Sequence, residues 1–62
     1  MTKHYNYKLQ TKEEWLTAYN EMDDRGANFA AYTFLTITAR DEAANVTLLK
    51  ILEDNKIEAK RI

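Results

Sequence analysis

Nucleophilic catalysis requires an activated Ser, Cys, Thr or Lys beside a base. This chain has no serine, no cysteine and a single histidine, His4, close to its N-terminus. His4 alternates with Tyr5 along a strand-like stretch, so it reads as a solvent-facing side chain rather than a general base or a pH switch. Adjacent carboxylates at Glu13-Glu14, Asp23-Asp24, Asp41-Glu42 and Glu53-Asp54 could in principle hold Ca²⁺ or Mg²⁺. Two of these pairs instead fit first helical turns, where negative charge meets the positive end of the dipole, and the other two lack the oxygen spacing of a calcium loop. A phosphate cradle needs several glycines for close backbone approach, and only Gly26 is present. No enzyme, metal site or cofactor is expected. Asn45-Val46-Thr47 matches a glycosylation acceptor but falls within a predicted helix, so it reads as chance. Trp15 shares helical spacing with Tyr19 and Met22 and reads as core packing.

The elements that position these residues follow from hydrophobic periodicity. His4 to Leu9 alternates polar with apolar and predicts a first strand. Thr11-Lys12-Glu13-Glu14 fits a capping box, with the Thr11 hydroxyl accepting from the Glu14 amide and the Glu14 carboxylate accepting from the Thr11 amide. Trp15, Leu16, Tyr19 and Met22 then mark a helix, and Gly26 supplies its left-handed stop. Residues 29–39 contain three alanines and Leu35, which would also serve a helix, but β-branched Thr33, Thr36, Ile37 and Thr38 and aromatic Tyr32 and Phe34 favour a single strand within this stretch, shorter than the run itself. Residues 41–54 predict a second helix with a stripe of Ala43, Ala44, Leu48, Leu49, Ile51 and Leu52, ended by Asn55 in the left-handed conformation. Ile57 to Ile62 begins as an alternating third strand.

The expected fold is therefore a single α/β domain over residues 1–62, a two-layer β-α-β-α-β sandwich. If each helix is a right-handed crossover, both fall on one face of a three-stranded parallel sheet in the order 1-2-3, with an antiparallel pairing as the alternative. No linker, repeat or low-complexity segment stands out.

Alternation along the middle strand carries the functional expectation. With Phe29, Ala31, Leu35 and Ile37 toward the helices, Tyr32 and Phe34 face the other way. Asn6, Lys8, Thr36 and Lys60 fall in the same phase, with His4, Thr38 and Glu58. The candidate interaction face is thus an aromatic centre, Tyr32 and Phe34, inside a polar rim. Parallel sheets are usually covered on both faces, so an open one points to a protein partner or to self-association.

Composition bounds the alternatives. At 62 residues with no cysteine, packing or a partner chain must supply the stability that disulfides give other small domains. Nine basic and ten acidic residues leave a net charge of −1, which disfavours nucleic acid and anionic lipid. A single-stranded nucleic-acid module, with bases stacking on Tyr32 and Phe34 and with Lys8 and Lys60 on phosphates, is accordingly a minor reading. A designed or purely structural domain is the other alternative, suggested by the missing Ser and Pro. No secretory signal or membrane-length apolar run is evident, and the cytoplasm is the expected location.

Overall fold

Two helices form one layer, and their ends are set by local chemistry. The computed structural model describes residues 3–32 and 34–62; the expectations for Met1, Thr2 and Thr33 lie outside them. α1 spans Lys12–Asp24 and α2 spans Glu42–Asp54. Thr11 caps α1, its Oγ1 accepting from the Glu14 amide at 3.2 Å. The reciprocal half of the expected capping box is absent among the described residues, and Glu14 Oε1 is shielded from solvent without a partner. Asp41 caps α2 and accepts from the Ala44 amide at 2.7 Å.

Both helices end in the same six-to-one hydrogen-bonded turn. Ala27 N–H donates to Met22 O at 3.0 Å and Gly26 N–H to Asp23 O at 3.1 Å; Ile57 N–H donates to Leu52 O at 2.8 Å and Lys56 N–H to Glu53 O at 3.1 Å. Gly26 takes the left-handed position of α1, as its sequence predicts, with φ 66°. In α2 that position belongs to Lys56, with φ 53°, and not to Asn55, whose φ is −97°. The Asn55 side chain instead donates to Ile51 O at 2.9 Å and to Glu21 Oε2 of α1 at 2.6 Å, tying the helices together at one end.

The sheet differs from expectation. It has four antiparallel strands, β1 (Tyr5–Lys8), β2 (Phe29–Tyr32), β3 (Thr36–Ala39) and β4 (Lys60–Arg61), in the order β2-β3-β1-β4. This corrects the three-stranded parallel sheet of order 1-2-3. Residues 29–39 are two strands rather than one, because the chain reverses between Tyr32 and Thr36, which face each other across the β2–β3 ladder. With β1 and β2 both antiparallel to β3, the two are parallel to each other and α1 does cross between parallel strands, but β3 is inserted between them. The same holds for β3, α2 and β4 with β1 inserted. This chain order and strand order define the split β-α-β, ferredoxin-like arrangement.

The two halves are in step along the chain. The N-caps Thr11 and Asp41, the left-handed residues Gly26 and Lys56, and the buried pairs Tyr7 and Ile37, Leu9 and Ala39, Ala18 and Leu48, Met22 and Leu52 each stand at the same separation. The structural repeat conserves burial and not residue type, which is why no repeat is visible in the sequence.

The core lies between the layers, with Tyr7, Leu9, Ile37 and Ala39 from the sheet side against Ala18, Met22, Ala44, Leu48, Ile51 and Leu52. Of the predicted helical stripes, Leu16, Tyr19, Ala43 and Leu49 are exposed instead.

Candidate functional site

Register fixes the two faces of the sheet, since directly opposite residues share a face. Tyr32, Thr36, Lys8 and Lys60 form one row across all four strands, and Ala30, Thr38 and Asn6 form the next. Both rows lie opposite Tyr7, Ile37 and Ala39, on the face without helices. Tyr32, Asn6, Lys8, Thr36 and Lys60 thus share one face in the antiparallel sheet, because its ladders pair odd residues with odd and even with even.

That face is polar and small-featured. Thr38 Oγ1 donates to Asn6 Oδ1 at 2.6 Å and is buried between its neighbours. Lys8 and Lys60 stand directly opposite each other, a like-charge pair that costs stability. With Gln10, Glu58 and Ala59 they line a shallow depression of about 350 Å³. His4 is exposed just before β1.

Phe34 is not on this face. It stands in the reversal between β2 and β3, where Phe34 and Leu35 both have φ 64°, a region that bulky side chains seldom occupy. Two hydrogen bonds hold the tip: Leu9 N–H to Leu35 O at 2.8 Å and Thr36 Oγ1–H to Phe34 O at 3.4 Å. The Phe34 ring is left 83 % exposed and Tyr32 56 %. With Leu35 and with Lys12 and Trp15 from the first turn of α1, they line a cleft of about 260 Å³.

Trp15 is the anchor of this flank. Its indole Nε1–H donates to Thr36 O at 3.1 Å, which locks the ring against β3 while one side remains open to the cleft. Trp15 meets Tyr19 at 5.6 Å between ring centres, and Tyr19 meets Phe29 edge-on at 5.4 Å, distances at which aromatic pairs attract. Five of the seven aromatics therefore gather along the β2 side of the molecule. Trp15 is half-buried and packs against the core, as its helical spacing predicts, and it lines the cleft as well; Lys12 carries no sequence signal for this place beyond its position in the first turn of α1.

Among the described residues no group of three or more His, Asp or Glu side chains is placed to hold a metal ion, and no helix is long and apolar enough to cross a membrane. In comparison with known proteins, no family model, no curated protein and no solved structure matches the chain.

Proposed function

We propose that this chain is a non-catalytic binding module that takes an apolar segment of a protein partner against the flank running from Tyr32 round Phe34 to Trp15. The observation that supports it is Phe34. A large apolar side chain held 83 % exposed at a backbone angle that costs free energy contributes little to folding, and such strain gathers at ligand clamps and binding sites. The surroundings suit an apolar anchor with a polar rim. Trp15, Leu35, Tyr32 and Phe34 line the cleft together with Lys12, an aromatic and apolar lining with one cation that resembles the composition of interface hot spots.

The test is selection of peptides from a displayed random library on the wild-type protein, followed by titration of the winners with backbone and indole NMR signals as the readout. Shifts should centre on Trp15 Nε1–H and the amides of Tyr32 and Phe34. Phe34→Ser should weaken binding by a hot-spot margin of about 2 kcal/mol, roughly 30-fold. Peptides that bind equally well to Phe34→Ser, or that perturb only Asn6, Lys8 and Lys60, would refute this reading and return the site to the sheet face.

A further inference from the structure

The outer edge of β2 offers a second surface, made of backbone rather than side chains. Arg40 N–H donates to Asn28 O at 3.0 Å, in continuation of the β2–β3 ladder. This fixes the phase of the ladder. Asn28, Ala30 and Tyr32 turn their amides and carbonyls toward β3, whereas Phe29 and Ala31 turn theirs outward. β2 is the end of the strand order, so these four groups face no strand.

Natural sheets blunt such edges with charge, proline or brevity. β4, the other edge, follows the rule: it is two residues long and both, Lys60 and Arg61, are charged. β2 reads Phe-Ala-Ala-Tyr and does none of this.

We propose that β2 pairs antiparallel with β2 of a second copy of this chain, joining two four-stranded sheets into one across a two-fold axis. The sequence of β2 is self-complementary in one register. With Ala30 opposite Ala30 of the second copy, Phe29 falls opposite Ala31 and Ala31 opposite Phe29. All the outward N–H and C=O groups of both residues then find partners. On the helix side each Phe29 ring lies over the small Ala31 of the other chain. On the open side two methyl groups meet at the axis, in the close pair of the ladder where Cα atoms are about 4.5 Å apart. No charged side chain stands in β2 to oppose its own copy. Tyr19, exposed on α1 and edge-on to Phe29, lies beside the seam and is covered by the association. This contact shares Tyr32, the last residue of β2, with the cleft, but it makes no use of Phe34.

Sedimentation equilibrium over a concentration series tests the proposal. The wild-type chain should pass from one to two chain masses as concentration rises. Ala31→Pro removes an outward amide that the monomer does not use, a position where a strand tolerates proline, and should leave a folded monomer. Ala30→Lys and Ala30→Glu each set like charges together at the axis and should weaken self-association at least about 30-fold, a hot-spot margin, with the far-UV circular dichroism of each unchanged. An equimolar mixture of the two should restore the dimer by pairing Lys with Glu, and Phe34→Ser should dimerise as wild type does. A wild-type chain that stays monomeric, Ala30 variants that self-associate normally, a mixture that fails to recover, or loss of the dimer in Phe34→Ser would each overturn it.

Discussion

Phe34, Leu35 and Lys56 hold positive φ without being glycine, a conformation that costs an L-residue about 1–2 kcal/mol. Lys56 has a structural reason, since it closes the turn after α2 as Gly26 closes the one after α1. Its side chain is exposed, so nothing offsets the cost. Lys56→Gly should raise stability by about 0.5–1 kcal/mol, the relief of strain less the added freedom of the unfolded chain, measured by urea denaturation. Asp41 gives a second expectation. Hydrogen bonds from the Ala44 amide and from the Asn28 side chain hold its carboxyl below the ordinary 3.8. A carboxyl whose folded pKa is depressed stabilises the fold above its unfolded pKa and loses that contribution as pH falls through the folded value. Melting temperature should therefore drop on acidification below about pH 4, the unfolded range, and Asp41→Asn should be less stable near neutrality with a flatter acid limb. Gly26 and the acidic first turn of α2 announce themselves in the sequence. The left-handed Lys56 does not, because its conformation is imposed by the turn and not favoured by the residue.

The two helices are legible to within a residue or two, because a cap and an apolar stripe at helical spacing are local signals. The hairpin is not. A turn between strands normally carries Gly, Asn, Asp or Pro, and Thr33-Phe34-Leu35 offers none, so β2 and β3 read as one continuous strand. The remaining hint was length, since a run of residues 29–39 is about twice an ordinary strand of five or six residues. With that strand left undivided, each helix became a crossover to an adjacent parallel neighbour. The parity of the register sets even-numbered residues on one face and odd-numbered ones on the other, and its energetic consequence can be measured. Ile37 is fully buried, and Ile37→Ala should cost about 2–5 kcal/mol as deletion of buried methyl groups does. Tyr32 lies on the other side and is mostly exposed, so Tyr32→Ser should stay within about 1 kcal/mol in the same denaturant series. Equal losses would mean that the face without helices is packed within the monomer.

Taken as a whole, the molecule is lopsided. Its buried core draws on both halves, whereas its aromatic surface is concentrated beside β2 and its facing lysines stand on β1 and β4. A net charge of −1 gives no general attraction for polyanions. Phe34 stands in the hairpin reversal, outside the ladder that sets Tyr32, Lys8 and Lys60 in one row. The candidate site was only partly legible: Tyr32 and Phe34 stand out as aromatics out of phase with the core, but the part taken by Trp15 and Lys12 in lining the cleft depends on a turn hidden in the sequence. We propose that Phe34 serves contact with another molecule rather than folding. Urea denaturation of Phe34→Gly tests it most directly. Glycine accepts φ 64° without strain, so the variant should be as stable as wild type or more stable by up to about 1 kcal/mol. A loss of about 2 kcal/mol or more, the scale of a buried side chain, would show that the ring holds the fold together, and would contradict the account.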